Sequence, residues 1–261
     1  MPRAPYGQNF LNDTNAAKKI VESLDVSPRD YIIEIGPGRG MLTGLLLEKG
    51  CKLTAVELDR GLSEELVSRF SGYAGPGRLK IVTEDFLDYR TPRNRTFKYI
   101  SNLPYYAASP IIRKVVSSGN WKRAVFTTQK EVAERIASGP GGKSYGALTL
   151  FIAYFASSEI LFDISGSSFS PPPKVSSSVI LLTNLRAGRK APFAAFSKVV
   201  SAAFFRKRKT ALNSLSAGLP ADKRLVEKIL LSNGILPSDR AEQIPLEKFI
   251  SLTLDMKNII L

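Results

Sequence analysis

The stretch 31-YIIEIGPGRGMLTGLLLEKG-50 decides the fold. A short apolar run, 31–36, enters glycines at 36, 38 and 40, and a helical pattern follows until Gly50. Strand, glycine loop, helix is the start of a βαβ unit. Glycines let a ligand approach the backbone closely, and the free N–H groups of a helix start face it. The dinucleotide pattern G-x-G-x-x-G needs its third glycine one residue later, where this chain has Met41. That argues against a pyrophosphate-binding loop.

Outward from this stretch the alternation continues to about residue 130. The segments 52-KLTAVELD-59, 79-LKIVTEDF-86, 99-YISNLP-104 and 123-RAVFTTQ-129 have strand character, and 60-RGLSEELVSRF-70 is an amphipathic helix. Apolar strands alternating with helices predict a mostly parallel sheet covered on both faces. Near residue 160 the pattern changes. Both 159-EILFDIS-165 and 176-SSSVILLTN-184 are strand-like, with the proline-rich 169-FSPPPK-174 between them, which predicts an antiparallel hairpin at the sheet edge. After 184-NLRAGRKAP-192 only helical patterns remain, over 193–204, 206–216, 221–232 and 245–254. The expected organisation is an α/β domain over 1–184 and a small all-helical C-terminal domain over 191–261.

The chain has 261 residues and is 44% hydrophobic, enough to fill a core. No apolar run approaches the ~18 residues of a membrane span, and 1-MPRAPYGQNFL-11 lacks the apolar centre of a signal peptide. Cys51 is the single cysteine, so a disulfide-free, cytoplasmic protein is expected. Histidine is absent. Ser-His-Asp and Cys-His nucleophile systems, histidine-bearing metal sites and zinc clusters are thereby excluded, and no metal is expected. Chemistry must run on carboxylates, amides, hydroxyls, backbone groups or a bound cofactor. A formal net charge of +14 points to a polyanionic partner, most simply nucleic acid.

With Glu34 just before the glycines, 34-EIGPGRG-40 resembles the first motif of class I S-adenosylmethionine (SAM) methyltransferases. Glu57 ends the second strand, about 20 residues on, where an acid can accept both ribose hydroxyls. Asp85 ends the third strand, where it can accept from an adenine amino group, with Phe86 beside the ring. The fourth strand runs into 101-SNLPYYAASP-110. The carboxamide oxygen of Asn102 can accept from an exocyclic amine, and so can the backbone carbonyl of Leu103 or Pro104. Two acceptors on one amine would hold its nitrogen towards a methyl carbon. Tyr105 can stack on a base. This is similar to the (N/D/S)-P-P-(Y/F) motif of amino-methyltransferases, with an exocyclic amine, adenine N6, as the expected target. Phe169, ahead of a rigid proline turn, is expected at the pocket mouth, clamping with Tyr105 a base taken out of its stack.

The ordered set 7-GQNFLND-13, 34-EIGPGRGMLT-43, 56-VELD-59, 84-EDFLDY-89, 102-NLPYY-106, 169-FSPPPKVSSSV-179, 204-FFRKRKTALNSL-215 and 240-RAEQIPLEKF-249 spans nearly the whole chain. It resembles the small-subunit ribosomal RNA adenine dimethyltransferases of the KsgA type, relatives of the Erm methyltransferases of large-subunit RNA. The last three segments carry the discrimination between the two. The resemblance implies SAM as cofactor, a Rossmann-like class I methyltransferase sheet, and dimethylation of N6 on two adjacent adenosines near the 3′ end of small-subunit rRNA. It implies a partly assembled (pre-30S) particle as the substrate and a role in subunit biogenesis. It places Asn9 and Leu11 by the methionine end of SAM, Gly36 beneath it, Glu57 at the ribose, Asp85 at the adenine, Asn102 at the methyl site, and Tyr105 and Phe169 at the target base; Gly38 and Phe86 are further expected cofactor contacts. Read without the resemblance, 8-QNFLND-13 is a helix N-cap, with Asn12 or Asp13 as the cap. One departure is 105-YYAASP-110, whose alanines stand where the family usually carries larger or hydroxylated residues.

Residues 164–221 contain no acid but carry nine cations: Lys174, Arg186, Arg189, Lys190, Lys198, Arg206, Lys207, Arg208 and Lys209. Arg186, Arg189, Lys190 and the 206–209 run are the expected RNA contacts, at a packed helix end; a solvated helix face is the alternative. Alternatives for the whole chain are an Erm-like enzyme and an assembly factor that binds without turnover. A monomer is expected.

Overall fold

The structure is a computed structural model describing residues 9–74, 77–185, 188–206 and 208–260. Nine strands are described: β1 (Phe10–Leu11), β2 (Tyr31–Ile35), β3 (Lys52–Glu57), β4 (Leu79–Thr83), β5 (Phe97–Asn102), β6 (Trp121–Gln129), β7 (Ala156–Ile164), β8 (Phe169–Ser170) and β9 (Ser177–Asn184). Seven of them form one sheet in the order β4-β3-β2-β5-β6-β9-β7. Pairs from β4 through β6 are parallel, and β9 runs antiparallel to β6. The two members of the expected edge hairpin are neighbours, with β9 inside and β7 on the rim.

The central strands are apolar on both faces because helices cover both. Tyr99, Ile100, Ile32 and Ile33 are fully buried. Strand order reverses at β2, with β3 and β4 on one side and β5 and β6 on the other. That makes the carboxyl ends of β2 and β5 the switch point of the sheet, where open α/β sheets bind ligands.

A separate two-residue ribbon pairs β1 with β8, Leu11 opposite Phe169. It is locked by Asn12 N–H donating to the Ser168 carbonyl (2.9 Å) and the Ser168 hydroxyl donating to Asp13 (2.9 Å). Of the two cap candidates the structure selects Asp13, whose Oδ1 accepts from Asn15 N (2.9 Å) and Ala16 N (3.1 Å) at the start of helix Thr14–Ser23.

The chain divides into two compact units, Met1–Ala133 with Ser157–Asn184, and Glu134–Ala156 with Leu185–Leu261. The α/β domain expected over 1–184 includes 134–156, whose contacts group it instead with the C-terminal helices. Helix Ala147–Phe155 is apolar all round, and such a helix needs cover on every side. It gets that cover from helices Phe193–Ala203 and Leu246–Ile260 and an aromatic cluster in which Phe155 and Phe193 lie 4.7 Å apart. The Tyr154 hydroxyl donates to the Ala191 carbonyl (2.6 Å) and the Tyr145 hydroxyl to that of Ile244 (2.9 Å). A helix expected from 206 begins instead at Ala211, capped by Thr210 (3.4 Å to Asn213 N), so Arg206, Arg208 and Lys209 lie ahead of it.

Candidate active site

The carboxyl ends of β2, β3 and β5 open on a cavity lined by Asn9 to Leu11, the glycine loop, Glu57, Asp85, Phe86 and Asn102 to Ala107. The chain leaves β2 through Gly36, Gly38 and Gly40, all at positive φ (+61°, +56° and +78°). Gly40 caps helix Met41–Glu48 in the left-handed region, and a Cβ there would lie 2.7 Å from the Phe70 ring and 2.8 Å from Leu66. At Gly36 an added Cβ would meet no protein atom within 4 Å. Glycine keeps the loop open to a ligand there.

Two carboxylates are buried under this loop. Glu57 Oε2 accepts from Gly38 N–H (2.9 Å) and Oε1 from Asp59 N–H (3.0 Å). Burial raises its pKa, against the pull of those N–H donors. Glu34 takes the Thr43 hydroxyl on Oε2 (2.7 Å), and burial, with Glu57 nearby, pushes it up to about 8. Asp85, half-buried at the rim, accepts from Leu87 N–H (2.8 Å) and so turns the chain after β4. Phe86 is buried beside it, stacked near Tyr89 (6.2 Å) and edge-on to Tyr99 (6.2 Å).

Asn102 is the last residue of β5. Its Nδ2 donates to the Asn9 carbonyl (2.9 Å), which engages the donor end of the carboxamide and leaves Oδ1 as its acceptor. Leu103 N–H donates to the Thr127 carbonyl (3.0 Å), and the Pro104 carbonyl accepts from Ala107 N–H (3.0 Å), closing the turn Tyr105–Ala107. Tyr105 is held by a 2.6 Å hydrogen bond with Ser177, and Tyr106 lies at the rim, 65% exposed.

A family model described as ribosomal RNA adenine dimethylase matches residues 2–257. The chain belongs to the ribosomal RNA adenine dimethylase family. A Ribosomal RNA small subunit methyltransferase A of Fusobacterium nucleatum is 40% identical over 255 residues, covering 95% of this chain and 94% of that protein. The one from Pelotomaculum thermopropionicum is 37% identical, covering 96% and 90%. Among solved structures, a dimethyladenosine transferase from Plasmodium falciparum superposes with a TM-score of 0.82 at 26% identity, covering 95% of this chain and 98% of that one. The 23S rRNA methyltransferase ErmE gives 0.74 at 25% identity, covering 95% and 100%.

As a ribosomal RNA adenine dimethylase, the chain uses SAM to methylate rRNA adenine. Its cavity fits that cofactor: the loop leaves room over Gly36, and carboxylates end β3 and follow β4 where a nucleoside's hydroxyls and amine need acceptors. The cavity brings together Asn9, Leu11, Gly36, Gly38, Glu57, Asp85, Phe86, Asn102, Leu103, Pro104 and Tyr105.

Phe169 is not with them. It is 2% exposed, in a core with Leu11, Ile20 and Val179, and it does not line the cavity. Pairing with β1 puts its side chain on the core face of the ribbon, behind Leu11. Phe169 therefore backs the segment that brings Asn9 to Asn102, and the second aromatic at the rim is Tyr106. The Tyr105–Tyr106 doublet was visible in the sequence, but nothing there told which ring faces out. Ser177, which holds Tyr105, is 72 residues away and carried no local signal.

Of the expected RNA contacts in this dimethylase, Arg186 and Lys207 lie outside the described residues. Arg189 donates to the carbonyls of Ala153 (3.2 Å) and Tyr154 (3.4 Å), at the C-terminus of helix Ala147–Phe155, where a cation is favoured. Lys190, Arg206, Arg208 and Lys209 are exposed. Among the described residues no cluster of His, Cys, Asp and Glu is arranged to hold a metal, and no helix is long and apolar enough to cross a membrane.

Proposed function

We propose that this chain transfers methyl groups to N6 of two adjacent adenosines near the 3′ end of small-subunit rRNA, in a partly assembled particle, as part of subunit biogenesis. The observation that carries the reading is the orientation of Asn102. Its donor end is engaged by Asn9, which presents Oδ1 as an acceptor at the end of β5. Bound SAM would supply a methyl group already activated on a sulfonium. The chain's task is then positioning. Asn102 Oδ1 and one backbone carbonyl accept the two N6 protons and hold the nitrogen in place. The Pro104 carbonyl is engaged by Ala107, so we give the second acceptor role to Leu103. Glu57 takes the cofactor's ribose, Asp85 and Phe86 its adenine, and Asn9 and Leu11 flank its methionine end. Tyr105 and Tyr106 receive the target base. Arg206, Arg208 and Lys209 face RNA phosphates.

The small-subunit assignment is supported by relatives named for that subunit at 37–40% identity. Similarity to ErmE favours a second reading, a large-subunit substrate. Labelled SAM should be offered to unmethylated small and large subunits and the nucleosides analysed. Dimethyladenosine in the small subunit is the expected result; label confined to the large subunit would overturn the assignment.

A further inference from the structure

A second cleft lies beside the cofactor cavity, within the same unit. It lies between the segment after β4 and helix Ala108–Ser117 and has a volume of about 560 Å³. Phe86 lines both cavities. The cleft is lined by Arg90, Arg93 and Lys114 and by one acid, Asp88, with Asp85 and Glu84 also close enough to act on Lys114. Arg90, Thr91 and Arg93 of the acid-free segment 90-RTPRNR-95 line it.

These cations are not equivalent. Lys114 Nζ donates to the carbonyls of Phe86 (2.7 Å) and Leu87 (2.5 Å) and stands 5.3 Å over the Phe86 ring. It is a strut between the two cavities. Arg95 lies 4.4 Å over the Tyr31 ring, away from the cleft. Arg90 and Arg93 are exposed, line the cleft and, among the described residues, meet no carboxylate. The Arg93 backbone is fixed by Asn120 Nδ2, which donates to its carbonyl (3.0 Å). Lys114 and the hydroxyls of Ser117 and Ser118 donate to backbone carbonyls, so the two guanidiniums are the lining cations left for a ligand. Two forked, unneutralised guanidiniums over a polar cleft match phosphate oxygens.

We infer that this cleft is a second phosphate-binding site, holding a phosphodiester of the RNA strand whose base enters the cofactor cavity. The inference rests on the proposed RNA substrate. The strand is favoured over a free nucleotide because the chain is strongly basic and the cleft adjoins the cavity that receives the target base. No role fell to 90-RTPRNR-95 in the reading of the sequence.

The test uses the full-length protein and the Arg90→Gln/Arg93→Gln double variant. Affinity for a 3′-terminal small-subunit rRNA fragment is measured between low and moderate salt, with SAM affinity as the control for folding. Loss of two single-strand phosphate contacts should weaken RNA binding about tenfold at low salt and reduce the log–log salt slope by about 1.4, with SAM affinity unchanged. Arg90→Lys/Arg93→Lys should recover most of the slope. Unchanged RNA affinity and slope in the Gln variant would overturn the inference. Binding of AMP or inorganic phosphate lost in that variant, with RNA affinity intact, would overturn the strand as the ligand. Failure of the proposed function is a separate result, seen as absence of methyl transfer by the wild-type chain.

Discussion

Asn102 donates from its side-chain amide to the main-chain oxygen of Asn9, 2.9 Å away and 93 residues earlier in the chain. One hydrogen bond thus engages the donor end of the carboxamide and leaves its oxygen for the proposed acceptor role. It depends on the β1–β8 ribbon, which pins the segment carrying Asn9. The N-terminal segment, whose role cannot be read from its own residues, is what orients the residue proposed for positioning.

Asn102→Ala is expected to lower kcat by about 10²–10³, the loss typical of one preorganised hydrogen-bonding group at a reacting centre. SAM affinity and far-UV circular dichroism should stay near wild type. Asn102→Asp keeps acceptor oxygens but loses the donor to Asn9, so its turnover should fall between the two. Wild-type turnover in the Ala variant would remove Asn102 from the mechanism.

Phe169 and Tyr106 should separate cleanly. Phe169→Ala empties a core position and should destabilise the fold by about 3–5 kcal/mol, read by urea unfolding. Phe169→Leu should keep near-native turnover. Tyr106→Ala should leave stability alone and raise KM for RNA by about 5–100-fold, the range for one lost base stack, with rescue by Tyr106→Phe. A Phe169→Leu enzyme that folds normally but loses RNA affinity would return that ring to the base.

Glu34 gives a pH dependence. Its folded pKa, about 8, stands above the 4.5 of the free group, so the folded state binds the extra proton between those values. Unfolding free energy from this group is greatest below 4.5 and declines as pH rises through 8. Glu34→Gln removes the titration and can still accept from Thr43. Its thermal midpoint should lie above wild type at pH 9, with the gap narrowing as pH falls, each kcal/mol being worth about 2–4 °C at this chain length. Parallel curves across that range would mean Glu34 does not titrate there.

Gly40→Ala should destabilise the protein by at least about 1–2 kcal/mol, the left-handed penalty alone, because the added Cβ also meets Phe70 at 2.7 Å. Gly36→Ala carries the same backbone strain with no protein contact, so isothermal titration should show weakened SAM binding out of proportion to its stability loss. Equal SAM affinity in both variants would argue against a ligand over Gly36.

The strand–glycine–helix unit, the parallel order of the sheet and the strand-end positions of Glu57 and Asn102 were legible because hydrophobic period and punctuation are local properties; Asp85, expected at a strand end, lies two residues past β4. The N-cap at Asp13 was half legible, since Asn12 and Asp13 have the same capping chemistry until Ser168 chooses between them. The apolar helix Ala147–Phe155 was missed because a helix buried all round carries no amphipathic signal of the domain it joins.

By itself the sequence determined the class of chemistry. No histidine and one cysteine restrict the catalytic groups, and the ordered motifs name a methyl transfer to an amine. Only the tertiary structure decided which side chains reach the cavity. Phe169 went to the core and Tyr106 to the rim, and Arg189 went to a helix end while Arg90 and Arg93 reached the second cleft. The physical reason is that side-chain direction follows strand pairing, and pairing joins residues such as Leu11 and Phe169 whose separation along the chain carries no local trace.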